Sequence, residues 1–344
     1  MHTPLRIVNT PNCQPHPWHP SVVYTENGWN EHKWWMAQTP FPPNDVPPYR
    51  DRYELPCIHF SDDGIHWHPM PNNPIDDIDK EMEEAHNYLS DPHLVLRGNR
   101  LECYYRLSLL KDRQIVGNKT LLLRKTSIDG LLWSEREVIA DLRRTEDISV
   151  WGEQIISPAI HWDGERYRCW YVDRSGYLNG RKILMTASED GTTWRPCIEC
   201  HLIGTPAFNP WHIDVQHYDG EYQMLLYDGW HLHWLASVDG INFRYVSHVL
   251  SPTLFFTDFY SNGLYRACSV KVDNKILVYF SAKTDSQTSI GLLATQDRVH
   301  FEPINGISRL KYLCTFILPR ASFKNCKRLA KRQLRKMGLL HKQQ

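Results

Sequence analysis

One short turn pattern recurs five times in this 344-residue sequence and constrains its fold more than any other feature. A Ser or Thr is followed two residues later by Asp, then usually Gly, and three residues further on by an aromatic side chain. Asp-Gly favours a tight hairpin, because Gly adopts a positive φ without a Cβ clash and Asp bonds the local backbone. The copies centre on Asp63, Asp129, Asp190, Asp239 and Asp297, at intervals of 66, 61, 49 and 58 residues. This near-regular spacing indicates a repeated structural unit.

The segment before each turn repeats as well. An apolar stretch, a short polar turn, an aromatic stretch and a variable loop lead into a third apolar stretch, as in residues 157–194. Five units of four antiparallel strands are typical of a five-bladed β-propeller, and an ordinary β-sandwich is the alternative. We therefore predict an all-β fold, with a five-bladed β-propeller over residues 1–322 and a short basic C-terminal helix over residues 323–344.

The charge distribution sets the C-terminal segment apart from the propeller. Residues 323–344 hold eight of the 39 basic residues and no acidic residue, which leaves 31 basic against 39 acidic residues in 1–322. Such an acidic body disfavours a nucleic-acid groove, so no nucleic-acid partner is expected. The tail has the spacing of a basic amphipathic helix. It would bind an anionic membrane surface or an acidic partner, or else rest solvated on the propeller rim.

Location is predicted from three features of the sequence. No apolar run approaches the 18 residues of a membrane-spanning helix, and no signal-peptide pattern is visible. Nine scattered cysteines are typical of reduced thiols rather than of a disulfide framework. We expect a cytoplasmic protein, with peripheral membrane attachment or association with a phage as alternatives.

Blade topology predicts which side chains meet. The Asp-Gly turns join strands 3 and 4, so their aspartates lie on the face opposite the expected site and serve as turn formers. On the other face, the innermost strands of successive blades begin with polar residues that point into a central funnel. Aligning the blades brings together these residues: His19, Asp91, Ser157, His212 and Asp214.

The loops between strands 2 and 3 add further polar residues to this face. They are Glu54, Arg106, Asp173 and Asp228, while Glu153 lies in the entry to the third blade. Glycoside hydrolysis requires one carboxyl group as proton donor and a second as base or nucleophile. The candidate catalytic residues are therefore Asp91, Glu153, Glu54 and Asp214. The candidate substrate-binding residues are His19, Arg106, Asp173, His212 and Asp228 together with three tryptophans.

Those tryptophans are Trp151, Trp211 and Trp230, from a sequence rich in aromatic residues, with 13 Trp, 17 Tyr and 11 Phe. Sugar rings present flat CH faces that pack on such side chains. No metal-ligand motif of known spacing is present, and the Cys197-x-x-Cys200 pair lacks a second pair of ligands. The residues therefore predict no metal or other cofactor. For His212 with Asp214 we expect an ordinary buried hydrogen-bonded pair, and a metal ligand is the alternative.

The five-bladed layout, the Asp91-Pro92 pair in the second blade and Glu153 at the third resemble the glycoside hydrolase superfamily of five-bladed propellers. This group includes arabinanase/xylosidase-like and invertase-like enzymes. The resemblance implies that Glu153 is the general acid and that Asp91 either orients this acid or stabilises the transition state. It also implies that an axial calcium ion can accompany an inner-strand histidine. The family places an Asp at the start of blade 1, where this chain has His19.

We therefore expect a carbohydrate-active protein that acts on an oligosaccharide or polysaccharide, with glycoside hydrolysis as the favoured activity. A non-catalytic glycan-binding or assembly module is the first alternative. An accessory protein of polysaccharide biosynthesis, held at a membrane surface by its tail, is the second. The segment around residues 34–67 is also similar to propeller proteins of uncharacterised activity found in bacteria and their phages.

Overall fold

The computed structural model describes residues 2–8, 16–41, 54–81, 87–111, 114–175, 180–204, 208–253, 258–284 and 287–317. The predicted tail, residues 323–344, lies outside these ranges, and its helix and partner stay predictions. Within the described ranges, 22 strands and two short α-helices form. None of the helices in these ranges is both long and apolar enough to cross a membrane.

The strands form five mainly antiparallel sheets, here called blades 1 to 5. Blade 1 contains β1 (Arg6–Ile7), β2 (Pro17–Trp29), β3 (His32–Pro40), β4 (Cys57–Ser61) and β5 (His66–Pro69). Blade 2 contains β6 (Tyr88–Arg97), β7 (Arg100–Lys111), β8 (Gln114–Ser127) and β9 (Glu137–Asp141). Blade 3 contains β10 (Ile156–Trp162), β11 (Tyr167–Asp173), β12 (Lys182–Ser188) and β13 (Ile198–Glu199).

Blade 4 contains β14 (His201–Ile203), β15 (His212–Tyr218), β16 (Glu221–Tyr227), β17 (Leu232–Ser237) and β18 (Asn242–Leu250). Blade 5 contains β19 (Gly263–Val272), β20 (Lys275–Lys283), β21 (Thr288–Thr295) and β22 (Glu302–Ile304). Helix α1 (Thr145–Trp151) precedes blade 3. Helix α2 (Arg309–Tyr312) and a π-helical turn (Leu313–Ile317) follow blade 5.

The innermost strands close into a ring. Strands β2, β6, β10, β15 and β19 each contact the next around the circle, and β19 returns to β2. Five apolar clusters fill the spaces between adjacent blades, one at each of the five interfaces. The predicted five-bladed β-propeller is therefore confirmed, and burial between blades holds the ring together.

The N-terminal segment joins the last blade to the first. The backbone N–H of Leu5 donates to the carbonyl of Ile290 in blade 5 at 2.8 Å. Thr3 donates its backbone N–H to the side chain of Asn305 at 2.8 Å. The next residues form β1, which pairs parallel with β5 at the outer edge of blade 1. One short segment thus bridges the closing interface of the ring.

The repeated turns have the predicted structure. In the second copy, Ser127 Oγ accepts the N–H of Gly130 at 2.8 Å, and Asp129 Oδ1 accepts the next two backbone N–H groups at 2.8 Å. The Nε1 of Trp133 donates to the carbonyl of Gly130 at 3.3 Å. Gly130 has φ +75°, and a Cβ there would lie 2.4 Å from the Trp35 ring of blade 1. The repeated aspartates therefore build turns, as expected.

Candidate functional site

Three inner strands carry the same strained bulge at one end of the ring. His19, Asp91 and Ser157 each precede a proline and have φ angles of 52°, 53° and 53°. Non-glycine residues seldom occupy this left-handed region. Strand pairing shifts register at each of these points. Because a bulge redirects a side chain, residues from three blades meet on the axis.

Asp91 lies at the centre of this meeting point and is fully buried. Its Oδ2 accepts a hydrogen bond from Nε of Arg106 at 2.5 Å and from the backbone N–H of Ser157 at 3.1 Å. Burial alone would raise the pKa of Asp91, but the charge of Arg106 and its other neighbours outweigh burial and hold that pKa well below its usual range. Arg106, predicted to bind substrate, thus fixes the carboxylate in its ionised form.

The other carboxylate oxygen of Asp91 faces two histidines. Oδ1 lies 3.4 Å from Nε2 of His19 and 3.6 Å from Nδ1 of His212. Within the described residues, none of these three atoms has a hydrogen-bond partner. Burial lowers the pKa of His19 to about 3 and that of His212 well below its usual value, so both imidazoles are neutral at pH 7. We call His19, Asp91 and His212 the axial cluster.

The axial cluster fits a divalent cation. One ligand atom from each residue lies within 4.8 Å of the others. A tetrahedral ion with bonds of 2.0–2.2 Å separates its ligands by about 3.3–3.6 Å, which matches the two measured separations. Neutral imidazole and ionised carboxylate are the forms that bind a metal, and buried ligand atoms without partners are costly unless something satisfies them.

Glu54 lies beside the axial cluster, at the entry to β4. Its backbone N–H donates to the carbonyl of Pro40 at 2.8 Å, and its φ of 59° is again left-handed. The side chain is buried, and its Oε2 has no hydrogen-bond partner in the described part of the chain. Burial, together with the charge of Asp91, raises the pKa of Glu54 to about 8.

Sequence reasoning missed Tyr265, which lies at the same site. It occupies the bulge of β19, where pairing with β20 shifts between Leu264 and Ala267. Its ring centroid lies 4.2 Å from that of His212 and 5.2 Å from that of His19. Its hydroxyl accepts a hydrogen bond from Nε1 of Trp211 at 2.7 Å. The alignment of inner strands covered blades 1 to 4 only, and in blade 5 no proline follows Tyr265 to mark the bulge.

Asp214 lies one layer deeper along the axis. The predicted alternation with His212 is present, but Asp214 Oδ1 faces Nδ1 of His93 at 3.6 Å rather than His212. Its Oδ2 accepts the N–H of Ser269 at 3.3 Å, and burial raises its pKa to about 6. The expected His212–Asp214 pair is therefore not formed, since strand geometry separates residues two apart by almost 7 Å.

Two residues predicted from the entry to blade 3 lie apart from the axial cluster. Trp151 ends helix α1 and is buried against Tyr171 and Trp194 in a core cluster, not on an open funnel wall. Glu153 is exposed two residues later. Among the described contacts, no hydrogen bond or ion pair joins Glu153 to the axial cluster, and its role as general acid stays a prediction.

The remaining predicted residues are not part of the axial cluster. Asp173 is buried at the end of β11 and accepts the N–H of Ser175 at 2.9 Å. Asp228 bonds the backbone of its own loop, on which Trp230 is exposed. Trp211 is half-buried, and the guanidinium of Arg181 lies 4.3 Å from its ring centroid. It is the predicted tryptophan that contacts the site, through its hydrogen bond to Tyr265 and through the ring of His212, whose centroid lies 6.0 Å from its own.

Comparisons with known proteins give the same fold with different activities. No family model matches the chain. It is 26% identical over 279 residues to the A type blood N-acetyl-alpha-D-galactosamine deacetylase of Flavonifractor plautii, a match covering 68% of this chain and 35% of that protein. The chain thus spans about a third of the length of this curated relative.

Solved structures of carbohydrate-processing enzymes share the architecture. An N-acetylgalactosamine deacetylase from F. plautii, in complex with blood group B trisaccharide, matches with a TM-score of 0.67 and 20% identity, over 86% of this chain and 94% of that one. CoXyl43, a GH43 β-xylosidase/α-arabinofuranosidase from a compost metagenome, matches with a TM-score of 0.61 and 12% identity, over 90% and 99%. The chain therefore has the five-bladed propeller fold found in these enzymes, as the predicted resemblance implied.

Proposed function

We propose that this chain is a carbohydrate-active enzyme that removes the acetyl group from an N-acetylated sugar. The observation that carries the proposal is the axial cluster, in which one ionised carboxylate and two neutral imidazoles present ligand atoms beside the buried carboxyl group of Glu54. Among the described residues, these ligand atoms have no hydrogen-bond partner. The curated relative at 26% identity is named for the deacetylation of N-acetylgalactosamine, which suggests the substrate class.

A divalent cation is part of this proposal, and His19, Asp91 and His212 are the residues that would hold it. Such an ion, when bound, polarises a carbonyl group and makes water a better nucleophile near neutral pH. The protein's contribution is to hold the three ligands in place. Arg106 and the N–H of Ser157 fix one oxygen of Asp91, while Thr39 Oγ1 lies 2.7 Å from Nδ1 of His19 and orients that ring.

Glu54 moves the proton in the proposed reaction. Its pKa of about 8 lies close to neutral pH, where a general acid–base is most effective. The ionised form of Glu54, which is the minor form at pH 7 and grows as the pH approaches 8, accepts a proton from the attacking water and delivers it to the amide nitrogen. A C–O bond forms as the C–N bond breaks, and the products are acetate and the amino sugar.

Tyr265 stabilises the developing charge. Burial raises the pKa of its hydroxyl well above the usual value, so the phenol is neutral. The hydroxyl accepts a hydrogen bond from Trp211, which leaves its own O–H as a donor. This O–H donates a hydrogen bond, without transferring its proton, to the amide oxygen of the substrate as negative charge accumulates there. Trp211 holds Tyr265 and offers a ring face near the sugar.

The test is to measure acetate and new reducing ends from a panel of N-acetylhexosamine glycosides and trisaccharides. The wild-type protein is expected to release acetate from at least one member. Glu54→Gln should lower the rate by about 10²–10⁴-fold, while the matched control Glu153→Gln should keep it. Circular dichroism checks that both variants fold. Absence of acetate release, or equal release by wild type and Glu54→Gln, would reject the proposal.

Glycoside hydrolysis is the second candidate, and one observation favours it. Glu54 and Asp91 are neighbouring buried carboxyl groups whose pKa values are shifted in opposite directions, as in many acid–base pairs. New reducing ends without acetate in the same assay would select this activity. Loss of that activity in Glu153→Gln would support the predicted general acid. Sugar binding without either product would instead favour a glycan-binding module.

A further inference from the structure

A second group of potential metal ligands lies on blade 4, apart from the axial cluster. Asp228 follows β16, His231 precedes β17, and His233 lies within β17. The Oδ2 atom of Asp228 is 3.3 Å from Nδ1 of His231 and 3.1 Å from Nε2 of His233. The three ligand atoms lie within 4.8 Å of one another. We call Asp228, His231 and His233 the blade 4 cluster.

Ordinary Asp–His pairs elsewhere in the chain show what is different here. Two of the repeated turns also place a histidine three residues after an aspartate. The distance from Nδ1 of the histidine to Oδ2 of the aspartate is 2.7 Å in Asp63–His66 and 2.6 Å in Asp297–His300. Each of those carboxylates pairs with one imidazole. In the blade 4 cluster, two imidazoles form hydrogen bonds to a single oxygen, Oδ2 of Asp228. An ion that replaced these two hydrogen bonds would meet three ligand atoms at once.

A third imidazole borders the blade 4 cluster. His248 in β18 pairs across the strands with His233. The three ring centroids form a nearly equilateral triangle, with sides of 5.7 Å from His231 to His233, 5.9 Å from His231 to His248 and 5.8 Å from His233 to His248. His248 is not one of the residues whose ligand atoms lie within 4.8 Å of one another, and its Nε2 lies 2.7 Å from Oγ of Ser251. His248 therefore packs beside the blade 4 cluster and is not one of its ligands.

The carboxylate of the blade 4 cluster is held in place by its own loop, and the cluster is reached from solvent. Oδ1 of Asp228 accepts the backbone N–H groups of Trp230 at 2.9 Å and His231 at 2.7 Å, which orients Oδ2. The His231 side chain is 42% exposed, so an ion can enter from solvent.

We propose that the blade 4 cluster binds a transition-metal cation of the Zn²⁺ class. Two imidazole nitrogens with one carboxylate oxygen favour Zn²⁺ over Ca²⁺ or Mg²⁺, which prefer oxygen donors alone. The bound ion ties the loop that carries Trp230 to strand β17. This inference does not depend on the proposed deacetylase activity, because it uses residues outside the axial cluster.

The test counts zinc ions bound by the full chain. Protein stripped with a chelator and dialysed is titrated with zinc chloride, and bound zinc is measured by mass spectrometry. His231→Ala should bind one zinc fewer than wild type. The matched control His300→Ala, which removes an imidazole paired with one aspartate, should bind as many as wild type. Substitution of cobalt for zinc should give the visible absorption bands of a tetrahedral Co²⁺ ion. The bands that come from the blade 4 cluster should be absent in His231→Ala.

Asp91→Asn separates this inference from the axial cluster. If the axial cluster and the blade 4 cluster both bind zinc, wild type holds two zinc ions, and Asp91→Asn and His231→Ala each hold one. If only the blade 4 cluster binds, wild type and Asp91→Asn hold one and His231→Ala holds none. Equal zinc content and an unchanged cobalt spectrum in wild type and His231→Ala, with both folded by circular dichroism, would overturn the proposal.

Discussion

The Oδ1 atom of Asp91 lies 3.4 Å from Nε2 of His19, and neither atom has a hydrogen-bond partner among the described residues. The other oxygen of the same carboxylate is bound by Arg106 and by the backbone of Ser157. Oδ2 of Asp91 therefore holds the side chain in place, while Oδ1 faces the two histidines. Residues of blades 1, 2 and 4 thus present ligand atoms to a common point.

Replacing Arg106 should destabilise the protein through Asp91. Arg106→Ala leaves a buried carboxylate without its cation, which typically costs about 3–5 kcal/mol. Denaturant unfolding measures the free-energy change. Arg195→Ala is the control, because its pair with Glu189 is exposed and such pairs contribute about 1 kcal/mol or less. Equal effects of the two variants would show that the Asp91 ion pair does not stabilise the site.

Glu54 should make stability fall as pH rises. Its pKa is about 8 in the folded protein against about 4.3 in an unfolded chain. Between these values the folded state binds the proton and the unfolded state does not, so the free energy of unfolding decreases by up to about 1.4 kcal/mol per pH unit. Glu54→Gln removes this slope. From pH 5 to 8, the free energy of unfolding of wild type should therefore fall relative to that of Glu54→Gln. The same pH dependence in both proteins would contradict the raised pKa.

Arg266 should be required for closure of the ring at its axis. It is fully buried and donates to the carbonyls of Pro92 at 2.9 Å and Pro158 at 3.0 Å. Arg266→Met leaves both acceptors unsatisfied, each at a cost of about 1–3 kcal/mol. Thermal unfolding should show a large loss of stability, with Arg266→Lys intermediate. A Met variant as stable as wild type would show that other groups satisfy these carbonyls.

Gly130 should be far less tolerant of a side chain than Gly98. Both have positive φ, at +75° and +59°, but a Cβ at Gly130 meets the Trp35 ring at 2.4 Å while nothing lies within 4 Å of one at Gly98. Gly98→Ala pays about 1 kcal/mol for its backbone conformation. Gly130→Ala should cost at least about 2 kcal/mol more, because the ring must move. Equal losses in chemical denaturation would mean that Trp35 does not pack against the turn.

The fold could be predicted because its signals are local. The Asp129 turn and its four counterparts encode hairpins by short-range hydrogen bonds, and their spacing gives the number of blades. The site was partly predictable from a local signal as well, because a proline follows each of His19, Asp91 and Ser157 in the sequence. Tyr265 occupies the equivalent bulge without a proline and was missed.

Other features depend on contacts that no local pattern contains. Trp151 was predicted to bind substrate, but helix α1 carries it into the core between blades 2 and 3. The pairing of Asp91 with His212, in place of the expected His212–Asp214 pair, requires the ring to close. The depth of each residue along the axis follows from strand register, which the sequence leaves open.

Anomalous diffraction from crystals soaked in zinc chloride shows whether the axial cluster holds a divalent cation. We expect a zinc peak bounded by Nε2 of His19, Oδ1 of Asp91 and a ring nitrogen of His212, at about 2.0–2.2 Å from each, and its loss in Asp91→Asn crystals. Zinc density elsewhere with none among these three residues, or an ion pair or hydrogen bond that occupies Oδ1 of Asp91, would contradict the proposed metal site.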